Sequence, residues 1–184
     1  MEKDYNLGLS LEAVPQDLRV ARLLAGETLL RLHPHWFVEA FVQEAETVTT
    51  DLRDYASDER FRLRYRCEAD AGDLPRLVFE EGPLREIRFY RQGTELYARV
   101  CSDQSSAVIE ERFGLLLWLR GIREYLRLYG NRSLNTLLFR FLMNRVMLRM
   151  NPSQRKISIM ITKITVVEML LVLALVIGFV YFNR

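Results

Sequence analysis

Apolar and polar residues alternate at the start of the chain. Tyr5, Leu7, Leu9 and Leu11 are separated by Asn6, Gly8 and Ser10, the two-residue period of a strand buried on one face. Pro15 opens a helix over 16–24, on which Leu18, Ala21 and Leu24 form one apolar stripe. Gly26 breaks it, and one or two more turns follow over 27–32. The run His33-Pro34-His35-Trp36 ends them, because a residue before proline is pushed out of the helical region. A strand is predicted over 37–50, with imperfect alternation. Phe61, Leu63, Tyr65 and Cys67 then alternate strictly with Arg60, Arg62, Arg64 and Arg66, giving a strand with one dry and one cationic face. Glu44 and Glu46 on the preceding strand are the expected partners of those arginines. Further strands are predicted over 77–79, 84–90 and 95–101, divided by Gly82-Pro83 and Arg91-Gln92-Gly93. Such short connections favour antiparallel neighbours.

The period then changes. Leu115, Leu119, Ile122, Leu126 and Tyr129, widened by Trp118 and Tyr125, predict one helix from the capping serines Ser105 or Ser106 to a stop at Gly130. Gly114 and Gly121 lie on nearly the same face of it and would let a neighbour approach the backbone closely. Ser133 caps another helix, over 134–150, which Pro152 is expected to end. Its surface is mostly Leu137, Leu138, Phe141, Leu142, Val146, Met147 and Leu148, with Arg140, Asn144 and Arg145 toward one side. Finally, the 19 residues from Ile164 to Phe182 contain one charge, Glu168. A helix needs about 20 such residues to cross the hydrocarbon of a bilayer. The chain therefore divides into a domain over 1–130, a basic amphipathic helix over 131–156 and a single transmembrane helix over 157–184.

Composition sharpens this division. The 184 residues are 49% hydrophobic and 27% charged, with a formal net charge of +2. That neutrality is a cancellation. Residues 1–124 hold 17 basic and 23 acidic side chains, whereas 125–167 hold eight basic and no acidic ones. Disorder is excluded by the apolar content, and a disulfide scaffold by having only Cys67 and Cys101, expected as free thiols. Arg149, Arg155, Lys156 and Lys163 precede the apolar run and Arg184 alone follows it. That asymmetry predicts a cytoplasmic N-terminal domain and a C-terminus on the opposite side. Arg140, Arg145, Arg149, Arg155 and Lys156 are the expected membrane-surface residues. Glu168, about one turn into the hydrocarbon, is costly unless paired, and is expected to contact an integral membrane partner.

The order of elements resembles the helix-grip domains of the SRPBCC superfamily, which includes START, polyketide cyclase-like and coenzyme Q-binding proteins. The similarity is carried by "LSLEAVPQDLRVARLL", by "LHPHW" and by the strands around Arg76 to Phe79 and Arg85 to Phe89, and covers roughly residues 5–129. It implies an α+β fold in which a curved antiparallel sheet wraps a long C-terminal helix. It also implies a pocket for an apolar molecule such as a lipid or quinone. Tyr65, Phe79, Phe89, Tyr97, Trp118 and Tyr125 are the candidate lining residues, and a filled core is the rival use of the same aromatics.

Other chemistry finds little support. His33 and His35 are the only histidines, too few for a metal centre or a conventional nucleophile–histidine pair; corner packing or simple exposure suits them. No phosphate-binding glycine motif occurs, and no cofactor is expected. The acidic balance around the arginine strand argues against a nucleic-acid partner. Two functions follow: an apolar-ligand carrier, or an accessory subunit of a membrane complex. A cyclase- or dehydratase-like enzyme acting on an apolar substrate is the alternative, with no catalytic residue assignable.

Overall fold

The computed structural model describes residues 2–10, 20–69, 74–130 and 133–183. They form two compact units, Met1–Arg149 and Met150–Arg184. In the first, β1 (Glu2–Ser10) precedes two short helices, α1 (Val20–Leu23) and α2 (Glu27–Arg31). Six strands follow: β2 (Trp36–Glu44), β3 (Thr47–Asp54), β4 (Arg60–Ala69), β5 (Pro75–Phe79), β6 (Leu84–Gln92) and β7 (Glu95–Ser102). Then come α3 (Ser106–Phe113), α4 (Leu115–Gly130), α5 (Leu134–Arg145) and a single 3-10 turn, Met147–Arg149. Of the helix predicted over 16–24, only the end lies within the described residues.

The seven strands form one antiparallel sheet in the order β1-β7-β6-β5-β4-β3-β2. Strands β2 to β7 are a meander, and β1 joins the far edge beside β7, pairing Tyr5 with Ala98. The sheet is curved. Its inner side chains, among them Val38, Leu52, Leu63, Leu77, Ile87 and Leu96, share one core with Ile109, Phe113, Leu119, Ile122 and Leu126 of α3 and α4. This is the α+β helix-grip fold, with the sheet's apolar face closed by the helices.

Two predicted elements are each divided in two. The strand read over 37–50 is a hairpin, with β2 and β3 joined by Ala45 and Glu46. The helix read over 106–130 breaks at Gly114, which takes the left-handed conformation (φ 54, ψ 43) as the C-cap of α3. The collar helix also differs from expectation. It ends at Arg145, and Pro152 begins the next helix rather than ending this one.

On the outer face, the β4 arginines pair with carboxylates other than those expected. Arg60 reaches Glu39 (3.3 Å), Arg62 meets Asp51 (2.7 Å), and Glu80 takes both Arg64 (2.9 Å) and Arg66 (3.7 Å). The reason is the extra strand: β3 lies between β2 and β4, and places Asp51 directly opposite Arg62.

The second unit is α6 (Pro152–Phe182), a helix of 31 residues. Asn151 and Gln154 cap its start reciprocally, and proline sits where its missing N–H has no partner to lose.

Candidate functional site

The densest chemistry lies where the helices meet the sheet. Pro34 turns the chain from the end of α2 into β2, which delivers the Trp36 ring, wholly buried, to the centre of an aromatic group. His33 stacks on it at 4.2 Å, Trp118 tilts against it at 5.2 Å, and Phe61 and Phe113 meet it edge-on at 5.6 and 6.3 Å. Offset and edge-on contacts of this kind suit the ring quadrupoles. Trp118 Nε1 donates to the Leu29 carbonyl at 2.7 Å, which ties α4 to α2.

Both glycines singled out by their spacing make close approaches here. A Cβ on Gly114 would stand 3.0 Å from His33 Nε2, and one on Gly121 would overlap the Leu32 carbonyl oxygen. His33 Nδ1 accepts from the His35 backbone N–H at 3.3 Å, which puts the proton of the neutral ring on Nε2. Burial holds its pKa down at about 4, against the opposing pull of Asp54. Of the two expected fates of the histidines, His33 takes the packed one, while His35 is half-buried.

Five of the six aromatics expected to line a pocket, Tyr65, Phe79, Phe89, Trp118 and Tyr125, are buried in this same core. Tyr65 and Phe79 face one another at 5.7 Å across β4 and β5. Burial raises the Tyr65 phenol pKa. Tyr97 is not among them. Strand β7 turns Leu96, Ala98 and Val100 inward, and Tyr97 stacks on Tyr90 at 5.6 Å on the outer face. The alternation of Leu96, Ala98 and Val100 carried that information.

No pattern in the sequence announces a cleft of about 210 Å³ between the β3–β4 hairpin, the Gly82-Pro83 turn and the end of α3. Phe61, Leu63 and Phe113 supply its apolar side, and Asp54, Glu59 and Arg112 its charged rim. Cys67 and Cys101 are free, and burial raises both thiol pKa values.

The seam between α4 and α5 is polar. Tyr125 Oη donates to Asn144 Oδ1 at 2.9 Å, Asn144 Nδ2 donates to Tyr129 Oη at 2.9 Å, and the two phenols lie 3.2 Å apart. Arg140 lies 4.7 Å over the Tyr129 ring and donates to the Leu128 carbonyl at 2.8 Å. Arg140 is one of the residues expected at the membrane surface. What α5 turns outward is apolar: Leu134 is 85% exposed, Leu138 64% and Phe141 62%. Arg145 and Arg149 are exposed beside them, and Leu148 is buried.

Helix α6 is long and apolar enough to cross a membrane, with a mean hydropathy of 2.5 over its most apolar stretch and none of that stretch buried. Two of its hydroxyls bond within the helix: Thr162 donates to the Ser158 carbonyl at 2.8 Å and Thr165 to that of Ile161 at 3.1 Å. Lys156, Lys163 and Glu168 are exposed.

No family model and no curated protein matches the chain. Solved structures do. An AHSA1-like protein from Aeromonas hydrophila is 10% identical, with 72% of this chain and 96% of that one covered, at a TM-score of 0.47. A protein from Chromobacterium violaceum is 15% identical over 71% of this chain and 97% of its own, also at 0.47. A protein from Thermus thermophilus is 18% identical over 68% and 94%, at 0.36.

Proposed function

We propose that this chain is a membrane-tethered helix-grip domain, held on the cytoplasmic side by α6, that serves as an accessory subunit of a membrane complex. The observation that carries the reading is α6 itself, an unburied apolar surface that water does not accommodate. The excess of Arg and Lys before its apolar run favours a cytoplasmic domain. Glu168 gives the anchor one group whose ionised form needs a basic or polar neighbour on another membrane helix. The interlocked rings around Trp36 favour a subunit over a carrier, because they occupy the space beneath α4 with side chains.

The test is purification of the full chain from membranes in mild detergent, beside Glu168→Gln. An integral membrane protein should accompany the wild type and be lost, tenfold or more, from the variant. Equal recovery from both would sink the role of Glu168. A second reading, binding of an apolar molecule, is supported by the cleft floored by Phe61, Leu63 and Phe113. Solvent extraction and mass spectrometry of the same preparation separates the two. A stoichiometric apolar molecule points to the carrier, and its absence to the subunit.

A further inference from the structure

Helix α5 leaves most of its large apolar side chains exposed, and none of its residues is buried. Its polar side chains Arg140 and Asn144 bond to Leu128, Tyr125 and Tyr129 of α4, beside Met143, which packs on the core. Its outward row is Leu134, Leu138, Phe141 and Arg145, at i, i+4, i+7 and i+11, with Leu137 and Leu142 on either flank. The seam therefore does not merely permit an exposed apolar face. It holds one in place, since turning α5 over would break the bonds of Asn144 to both phenols and of Arg140 to the Leu128 carbonyl.

We propose that this face of α5 lies on an anionic lipid bilayer, as a second membrane contact made by the domain itself. The inference rests on the anchored reading above and adds to it a surface and the chemistry of its partner. Charge selects the partner. No Asp or Glu occurs from residue 125 to residue 167, and Arg145 on the row and Arg149 just after the helix are exposed. An anionic headgroup layer over hydrocarbon matches a row of Leu and Phe edged by arginine. A second copy of the chain matches it poorly, because two such basic regions would meet with no carboxylate between them. Chain length keeps the bilayer in reach. Seven Cα–Cα steps separate Arg145 from Pro152, so the end of α5 stays within about 25 Å of the start of α6.

The experiment uses the full chain, with Cys67→Ala and Cys101→Ser, reconstituted into phosphatidylcholine vesicles with and without phosphatidylglycerol. An environment-sensitive fluorophore is attached at Leu138→Cys, at Phe141→Cys or, as a wet reference, at Ser57→Cys. Lipids carrying a doxyl quencher in the acyl chain report contact with hydrocarbon. Labels at 138 and 141 should shift to shorter wavelength and lose at least half their emission to the quencher in phosphatidylglycerol vesicles. The label at 57 should stay water-like. Water-like emission at 138 and 141 from protein that floats with the vesicles overturns this contact and leaves the anchor standing. Protein that fails to float overturns the anchored reading and this one together. Energy transfer between differently labelled copies, with no quenching by lipid, replaces the bilayer by a self-interface and also overturns the proposal.

Discussion

His33 carries no charge at neutral pH because its ring is buried against Trp36 and the α3–α4 break, where hydration of an imidazolium is lost. Its pKa of about 4 lies below the ordinary 6.5. Between those values the unfolded chain takes up a proton that the native one refuses. Stability is therefore complete above about pH 6.5 and falls as the pH drops toward 4, by a ceiling of about 3 kcal/mol. Asp4, Asp51 and Asp103, whose arginine partners lower their pKa values, lose their contributions only further down, below the ordinary carboxylate range. Denaturation midpoints followed by tryptophan fluorescence should drop between pH 7 and 4.5 in the wild type. They should hold nearly level in His33→Gln, which keeps an acceptor for the His35 N–H without titrating. Equal slopes in the two proteins would remove His33 as the cause. At this scale the sequence was informative about position and poor about facing. The "HPHW" corner lies where its proline predicts and Gly121 makes a close approach, but Gly114 ends α3 instead of lying mid-helix, and the outward side of Tyr97 is not told by its aromatic character.

Several turns were legible where glycine or proline marked them, and one was missed where an uncommon residue did that work. The β5–β6 and β6–β7 turns carry Gly82-Pro83 and Gly93, and were found. The β2–β3 turn carries Ala45 at φ 54, a conformation that glycine or asparagine usually marks. Nothing in "EAET" signals it, so two strands read as one. This yields a prediction for the hairpin: Ala45→Gly should relieve the left-handed strain and stabilise the domain by about 0.5–1 kcal/mol. Thermal melting would show it as a rise of roughly 1–4 °C. A lower melting temperature would mean that Ala45 contributes packing that outweighs its backbone cost. Pro152 illustrates a related ambiguity. Proline before a helix and proline after one look alike in sequence, and the Asn151–Gln154 cap decides in favour of the start. The break at Gly114 was hidden because apolar residues continue at helical spacing on both sides of it.

At the scale of the whole molecule, the segregation of charge was readable from the sequence and the place of β1 in the sheet was not. An apolar helix advertises itself by composition, so α6 could be found without knowing anything else about the fold. Arginine at the centre of such a span costs about 2.5–3.5 kcal/mol on insertion scales. Leu171→Arg combined with Leu175→Arg should move the chain from the carbonate-resistant pellet to the supernatant, while the wild type stays in the pellet. Retention of the double variant would mean that α6 is not what holds the chain there. Pairing of β1 with β7, by contrast, joins Tyr5 to Ala98 and leaves no local signature. That pairing also has a timetable. During synthesis at about 5–20 residues per second, β1 must wait roughly 4–17 s for β7 to follow it. Until then the newborn domain carries an unmatched first strand and an open β6 edge, a stretch of its life in which a chaperone would matter most.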